Sequence, residues 1–352
     1  MQQKKNYTEL WELGEFRLIN LLTKDNKKRS KSTIISVGDD AAVLKYDGQK
    51  LVVVSTDLLV EGIHFDLVYF PLKYLGYKAV VVNLSDIYAM NAIAKQITFS
   101  FAVSNKFTYE ALDEIYKGVY QACENYNVDL VGGDSTSSRQ GLFLSITAIG
   151  QTKEENLSLR SGAKPGDLIC ITGDLGAAYM GLLLLEREKK IAIQNPNVKL
   201  EWEGRDYILR RHLRPEARLD IIKLFQQKQI VPNAMIDISD GLSSEILHIC
   251  QQSGVGAKIY EERLPIHEQT RLMAEEMNLD PTIAAMNGGE DYELLFTIPV
   301  EVYAKIKENT DIHVIGNIIE DTKQINLITR DGTSVPILAQ GWNSYDTKAF
   351  ND

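Results

Sequence analysis

The chain has 352 residues, 44% of them hydrophobic and 24% charged, which is the composition of a globular protein large enough for two domains. Its 48 acidic residues and 38 Lys and Arg residues give a formal net charge of −10. This balance argues against a nucleic-acid binder, but an anion could still bind through a divalent metal. The sequence shows neither the apolar core of a signal peptide nor the length of a membrane span, so a cytoplasmic location is expected.

The first half of the chain predicts a mixed α/β unit that ends near residue 150. Helices are expected at 9–22, 78–94 and 109–125, and strands at 51–56, 96–103, 128–131 and 142–149. A basic loop, TKDNKKRSKS, follows the first helix. That loop is expected either to be solvated or to contact phosphates.

The second half, residues 151–352, predicts another α/β unit. Strands are expected at 168–172, 234–238 and 292–298, and helices at 215–227, at 242–252 and directly after the turn GDLG. A polar loop is expected at 195–203. The similar alternation of strands and helices in both halves predicts two α/β domains of related construction.

Acidic residues recur where predicted strands end or begin, which is where open α/β sheets form ligand sites. They follow VVVST and LVGG, flank the end of AMIDISD and precede AAVL: Asp57, Asp134, Asp237, Asp240, Asp39 and Asp40. Asp86 lies on a predicted helix, three residues after Asn83 and therefore on the same face. Taken alone, each strand-end acid could be a turn former or helix cap, and Asp86 could simply face solvent.

The acids as a set predict a site for hard divalent cations. So many carboxylates in one cleft would repel each other, and Mg²⁺ commonly joins one or two carboxylates to substrate phosphates. Glycines beside several acids, at Gly38, Gly133, Gly241 and Gly289, permit close backbone approach to a ligand. The sequence contains no GxxxxGK[ST], GxGxxG or HRD/DFG motif. A bound nucleotide would therefore be held by metals and acids in place of a P-loop lysine.

Eight motifs in order resemble those of the thiamine-monophosphate kinase family: VGDDAAVL, STDLLVEGIHF, KAVVVNLSDIYAM, LVGGDSTSS, RSGAKPGD, RHLRPEAR, IDISDGLSSE and NGGEDYELLFT. GDD and STD alone would indicate only the wider aminoimidazole-ribonucleotide synthetase-like superfamily, whereas HLRP and GGEDYEL point to the kinase. The resemblance implies a two-domain α/β fold with mixed sheets, whose N-terminal domains pair into a β-barrel in a homodimer. It also implies ATP-dependent phosphorylation of thiamine monophosphate to thiamine diphosphate, with several Mg²⁺ ions.

The same resemblance implies roles for individual residues. Metal-ligand positions match Asp40, Ser55, Thr56, Asp57, Asp86, Asp134, Asp237 and Asp240. Nucleotide-contact positions match Tyr116, Gly133, Asp134, Arg160 and Ser239. The thiamine-phosphate side matches His64 and Glu290. Trp342 is a further candidate on that side, where it would stack on the thiamine rings, or it could belong to the core.

Several alternatives stay open at this point. His64 could be a packed or capping histidine, and Arg160 could pair with an acid. The basic residues of 210–214 could form salt bridges or an interdomain contact. The family's GWDHF-like ending reads GWNSY here, so closure over the substrate could differ. Another superfamily enzyme, such as aminoimidazole-ribonucleotide synthetase, and a non-catalytic Mg²⁺–nucleotide module are the alternative functions.

Overall fold

The computed structural model describes residues 10–13, 15–195 and 203–339, and these form two seven-stranded mixed sheets. The first sheet has the order β1-β2-β3-β7-β4-β5, with β6 also paired to β4. Its strands are β1 (Thr33–Ile35), β2 (Ala42–Leu44), β3 (Lys50–Val60), β4 (Ile93–Val103), β5 (Asp129–Gly132), β6 (Ser135–Ser137) and β7 (Phe143–Lys153). The helices of this half are α1 (Leu10–Leu13), α2 (Glu15–Thr23), α3 (Leu72–Ala89) and α4 (Tyr109–Tyr126).

The second sheet has the order β14-β13-β10-β12-β8-β11-β9. Its strands are β8 (Leu168–Thr172), β9 (Ala234–Asp237), β10 (Gly256–Tyr260), β11 (Leu294–Ile298), β12 (Ile312–Ile319), β13 (Ile325–Ile328) and β14 (Ser334–Pro336). The helices are α5 (Ala177–Gln194), α6 (Asp206–Leu213), α7 (Leu219–Lys228), α8 (Leu242–Ser253), α9 (Glu268–Glu276), α10 (Pro281–Asn287) and α11 (Val300–Tyr303). Each half therefore carries its own mixed sheet, as the sequence predicted.

The helix α3 is the central element of the molecule. It packs on β3, β4, β7 and α4 of its own domain and also reaches β9 and α6 of the second domain. Every residue from Leu75 to Ala89 is buried except Asp86, which is half-buried. A helix that is apolar around its whole circumference belongs in the interior of a protein. The partial exposure of Asp86 marks where this buried helix reaches the cleft.

Three predicted elements have different boundaries in the structure. The helix expected at 78–94 begins at Leu72, directly after Pro71, and ends at Ala89. Asn91 then takes a left-handed conformation with φ of 52°, a conformation that asparagine tolerates better than most residues, and β4 starts at Ile93. The strand expected at 51–56 extends to Val60 because β7 pairs with β3 along its whole length. The helix expected at 215–227 begins only at Leu219.

Other elements escaped the sequence analysis. The helix α6 was not predicted, because it has only eight residues, DYILRRHL, and half of them are charged or polar. The short strands β1, β2 and β6, and the whole β12–β14 region, gave no usable alternation over their few residues. Most of the polar loop predicted at 195–203 lies outside the described residues.

The close approach of α3 and α4 generates a stability prediction. A Cβ added at Gly118 would lie 1.9 Å from the carbonyl oxygen of Lys73 in α3. Gly118→Ala is therefore expected to destabilise the chain by about 2–3 kcal/mol, since the two backbones must move apart. Urea unfolding midpoints measure the effect, with the exposed Glu124→Ala on the same helix as the control. Equal midpoints for both variants would contradict this packing.

Candidate functional site

Three carboxylates from three separate segments converge at the junction of the two domains. Asp40 precedes β2, Asp86 lies on α3, and Asp237 ends β9 in the second domain. Each offers one carboxylate oxygen, and these oxygens all lie within 4.8 Å of one another. Asp40 and Asp237 are buried and Asp86 is half-buried. The sequence analysis assigned all three to metal-ligand positions, and the structure brings them together.

Two serine hydroxyls fix the orientation of these carboxylates. The Ser55 hydroxyl donates to Asp86 Oδ2 at 2.5 Å and also lies 3.3 Å from the Asp40 carbonyl oxygen. The Ser85 hydroxyl donates to Asp237 Oδ2 at 2.6 Å, across the domain junction. Ser55 was a predicted site residue, whereas Ser85 was missed. The tetrapeptide NLSD carries the signal for it, because a hydroxyl next to a site acid is a ready hydrogen-bond donor.

Burial and mutual repulsion raise the pKa values of these acids. Burial raises the pKa of Asp237 to about 7, and the negative charge of Asp40 adds to the effect. The pKa of Asp86 is raised well above its ordinary value by burial and then by the charges of Asp57, Asp237 and Asp40. Burial and Asp40 also raise the pKa of Asp39 to about 7. Such a cluster favours either protons or a bound cation.

Arg160 supplies one cation to the cluster. It lies in the connection between the two sheets, and its Nε and Nη2 donate to Asp40 Oδ1 at 3.0 and 2.6 Å. Its backbone N–H lies 3.3 Å from both Asp39 carboxylate oxygens. From the sequence, Arg160 could either contact a nucleotide or pair with an acid. In this structure Arg160 pairs with Asp40. The other Asp40 oxygen, Oδ2, is buried without a hydrogen-bond partner.

Residues 55–57 of β3 divide between the two faces of the sheet. Because strand side chains alternate, Ser55 and Asp57 point toward α3. The Asp57 backbone N–H donates to Asn83 Oδ1 at 2.9 Å, and the charge of Asp57 acts on Asp86 and Asp237. The Thr56 hydroxyl instead donates to the Ile146 carbonyl oxygen on β7, and the structure does not bring it to the three carboxylates.

The predicted nucleotide residues that follow β5 or lie on α4 are in a different setting. Gly133 is tightly packed, since a Cβ there would lie 1.8 Å from the Phe99 carbonyl oxygen. Asp134 is exposed, its N–H bonded to the Ser100 hydroxyl at 3.1 Å, and it is not part of the three-carboxylate cluster. Tyr116 packs edge-on against Phe99, with ring centroids 5.2 Å apart. The glycine requirement at 133 is thus steric.

The turn after β9 carries Ser239 and Asp240 into the helix α8. Gly241 precedes this helix with φ of 113°, which strongly favours glycine. The Asp240 N–H donates to Glu245 Oε1 at 2.9 Å. Burial, followed by the charge of Asp240, raises the pKa of Glu245 well above its ordinary value. Glu245 was not predicted, because it follows the Gly241 cap by four residues and so lies one position beyond the capping-box spacing.

Glu290 lies beside this turn and has two basic neighbours. Its N–H donates to the Ser239 carbonyl oxygen at 2.7 Å. Its carboxylate lies 2.8 Å from Lys78 Nζ and 3.1 Å from His212 Nδ1. His64 is half-buried, accepts the Val60 N–H at its Nδ1, and is an electrostatic neighbour of Glu290. The structure thus places both predicted residues of the thiamine-phosphate side near each other, while Trp342 lies outside the described residues.

Three of the basic residues of 210–214, namely Arg211, His212 and Arg214, form ion pairs, and Arg214 also makes an interdomain contact, which is one of the outcomes that the sequence left open. Arg211 Nη1 lies 2.8 Å from Glu293, and Arg218 Nη1 contacts the other oxygen of the same carboxylate at 2.7 Å. The Arg214 guanidinium lies 4.3 Å from the ring centroid of Tyr77 on α3.

Tyr292 is a further residue near the site that was not predicted from the sequence. It is buried near Glu290 and the site acids, and burial followed by their charges raises its pKa.

Comparisons with known proteins agree with this architecture. Residues 38–152 match the family model "AIR synthase related protein, N-terminal domain", and residues 164–326 match its C-terminal counterpart. Thiamine-monophosphate kinase of Bacillus subtilis is 35% identical over 342 residues, covering 95% of this chain and 100% of the relative. The Aquifex aeolicus enzyme is 37% identical over 304 residues, covering 86% and 92%. The chain belongs to the thiamine-monophosphate kinase family.

A solved structure supports membership in the thiamine-monophosphate kinase family. AaThiL complexed with AMPPCP and TMP superposes with a TM-score of 0.81 at 34% identity, covering 96% of this chain and 98% of the other. The family resemblance and the two-domain α/β fold with mixed sheets, both expected from sequence motifs, are thereby confirmed. In the described part of the chain, no helix has the length and apolar character needed to cross a membrane.

The raised pKa values predict how stability depends on pH without metal. Between the ordinary value of 3.8 and about 7, folded Asp39 and Asp237 keep protons that the unfolded chain has lost. The folded state then binds more protons, so this contribution to the free energy of unfolding falls as pH rises through that window. Asp237→Asn removes one of these groups. In chelator-treated protein, its melting temperature should exceed that of the unchanged chain by a margin that grows by several degrees from pH 4 to 7. A constant margin would contradict the shift.

Proposed function

We propose that this chain transfers the γ-phosphoryl group of ATP directly to the phosphate of thiamine monophosphate, which yields thiamine diphosphate. The observation that carries this proposal is the convergence of Asp40, Asp86 and Asp237 at the domain junction. Phosphoryl transfer requires positioning and charge neutralisation more than a covalent side chain, and three acid oxygens can hold the cations that neutralise phosphate charge. Membership in the kinase family supports the same activity.

The residues present fit Mg²⁺. The donor set consists of hard carboxylate oxygens, and Asp40 Oδ2 is buried without a hydrogen-bond partner. We propose the carboxylates of Asp40, Asp86 and Asp237 as ligands, with Ser55, Asp57 and Asp240 beside them. The roles of Thr56 and Asp134 stay predictions. Mg²⁺ held by these residues would supply neutralisation of the phosphate charge.

The residues around the acids divide into two sides. Arg160, Gly133, Ser239 and Tyr116 are proposed for the ATP side, where Arg160 adds positive charge beside Asp40. His64, Glu290 and Trp342 are proposed for the thiamine-phosphate side, and Glu290 is the best placed of them because its backbone bonds the Ser239 turn. In this proposal the two sides would hold the acceptor phosphate in line with the ATP phosphates, and the chain would have no covalent role.

A turnover assay tests the activity. The chain is expected to phosphorylate thiamine monophosphate but not free thiamine, because a site built to align a phosphate oxygen leaves the thiamine hydroxyl out of reach. Asp57→Asn should lower turnover by about a hundredfold or more, the scale for losing preorganised charge stabilisation. It should also reduce the rise in melting temperature caused by Mg²⁺–ATP.

Asp47→Asn in the exposed loop before β3 is the matched control and should leave both quantities unchanged. Equal turnover of thiamine and thiamine monophosphate would contradict the proposed acceptor. Normal turnover and a full Mg²⁺–ATP effect in Asp57→Asn would show that Asp57 is structural.

We further propose that two chains pair through the outer face of the N-terminal sheet to close a β-barrel. The helices α3 and α4 both belong to this domain, and the residues of β3 that face α3 are buried. On the opposite face, Val52 and Val54 are half-buried and Leu58 is 55% exposed. An apolar sheet face of this kind favours contact with a second chain.

The domain division at residue 150 and the cytoplasmic location also stay proposals.

Light scattering at micromolar concentration tests the pairing. The unchanged chain should have twice the mass of one chain, and Leu58→Asp should shift it toward the monomer because a buried charge opposes association. Leu272→Asp is the matched control, since Leu272 is 51% exposed on α9 in the second domain. A monomeric mass for the unchanged chain would refute the homodimer.

A further inference from the structure

A buried lysine lies directly behind Glu290. Lys78 is on α3, and its side chain is 1% exposed. Lysine is almost never fully buried unless it is paired, because burying its charge is costly. Its Nζ lies 2.8 Å from Glu290 Oε1 and 5.4 Å from the centroid of the Phe70 ring. The Lys78 ammonium group is therefore paired with the Glu290 carboxylate and also lies over the face of the Phe70 ring.

A second basic residue lies next to the other oxygen of the Glu290 carboxylate. His212 on α6 is buried, and its Nδ1 lies 3.1 Å from Glu290 Oε2. Its ring stands edge-on to Phe70, with centroids 5.8 Å apart, so its position is set by packing. Phe70 thus backs both bases. The Glu290 side chain is 29% exposed, so its carboxylate contacts the two basic residues on one side and is accessible to a ligand on the other.

The backbone at Glu290 is held in an uncommon conformation. Glu290 has φ of 58° and Tyr292 has φ of 52°, both left-handed, which costs a residue other than glycine about 1–2 kcal/mol. Such outliers persist where the surrounding structure requires them, and they concentrate at functional sites. Here the Glu290 N–H bonds to the Ser239 carbonyl, so the strained segment sets Glu290 beside the turn that carries Asp240.

The charge and the hydrogen-bonding capacity of the Glu290 carboxylate limit which chemical group of a ligand it can recognise. An ionised carboxylate only accepts hydrogen bonds. Because Lys78 already balances its charge, Glu290 is poorly suited to act as a bare counter-ion for the thiazolium ring. The amino group on the pyrimidine ring carries the N–H donors of thiamine monophosphate at neutral pH. That group is the complement of a fixed acceptor.

We propose that Lys78 and His212 are positioning residues that keep Glu290 ionised and oriented to accept a hydrogen bond from the aminopyrimidine of thiamine monophosphate. This inference rests on the proposed function and adds two residues to it. Without Lys78, Glu290 would lose the ammonium group that lies 2.8 Å from its Oε1, and without His212 it would lose the imidazole that lies 3.1 Å from its Oε2. It would then either take up a proton or turn away from its present position, and in both cases the acceptor would be lost.

Steady-state kinetics with Lys78→Met test the proposal. Methionine keeps the length and apolar stem of lysine but removes the charge. KM for thiamine monophosphate should rise about tenfold or more, the scale for losing a charge-assisted hydrogen bond, while KM for ATP changes less than about twofold. His212→Phe, which keeps a ring against Phe70, should shift the same constant in the same direction. Lys73→Met is the matched control, because Lys73 is exposed on the same helix.

A double variant separates positioning from general stability. If Lys78 acts through Glu290, then Lys78→Met/Glu290→Gln should show the same KM for thiamine monophosphate as Glu290→Gln alone, within about twofold, because a neutral amide needs no balancing cation. A tenfold greater KM in the double variant would overturn the proposal. So would equal rises in both KM values for Lys78→Met, or a loss of kcat alone. If Lys78→Met does not fold, the double variant decides.

The unchanged chain keeps the two hypotheses apart. No turnover of thiamine monophosphate by that chain would refute the proposed function. Turnover by the unchanged chain, with an unaltered KM in a folded Lys78→Met variant, would refute only the role of Lys78.

Discussion

The mutual repulsion of three carboxylates at the domain junction is the constraint on which the rest of the structure depends. Asp40, Asp86 and Asp237 are brought within 4.8 Å of one another, at a cost to the stability of the metal-free fold. Burial of α3 against both domains, the serine hydroxyls and Arg160 offset that cost. Because the three carboxylates repel one another, the cleft strongly favours a bound cation. The metal-free chain loses stability at this site so that the site can bind its ligand.

The helix α3 links the two sides of the cleft. It carries Lys78, which faces Glu290, and Asp86, which belongs to the acid cluster. They are eight positions apart, so they lie on the same side of the helix at a spacing of about 12 Å along its axis. Because α3 is buried on nearly all sides, neither residue can shift independently. One rigid element therefore sets the distance between the thiamine-phosphate side and the metal side.

The segment from Gly289 to Glu293 distributes its charges in two directions. Glu290 and Tyr292 lie near the site acids. Asp291 accepts the Gly176 N–H at 2.8 Å before α5, and Glu293 contacts Arg211 and Arg218. The second pair anchors the segment inside its own domain, and the left-handed residues let the first pair face the cleft. Arg211 and Arg218, the first and last residues of the RHLRPEAR motif, thus anchor this segment, since neither contacts the three-carboxylate cluster in the described structure.

The sequence by itself determined the fold class, the two halves and most acids of the site, because alternation, strand-end position and motif order are local properties of the chain. Only the tertiary structure decided which of those acids meet. Asp40 and Asp237 are 197 residues apart, and Asp134 has the same local signature but stays exposed outside the cluster. Ser85 has a local signal in NLSD, but nothing local indicates its partner Asp237. The role of Lys78 was hidden altogether, because nothing local distinguishes a buried lysine on a helix from a solvated one. Their partners come from other elements, and only the packing of α3 against both sheets brings those elements into contact.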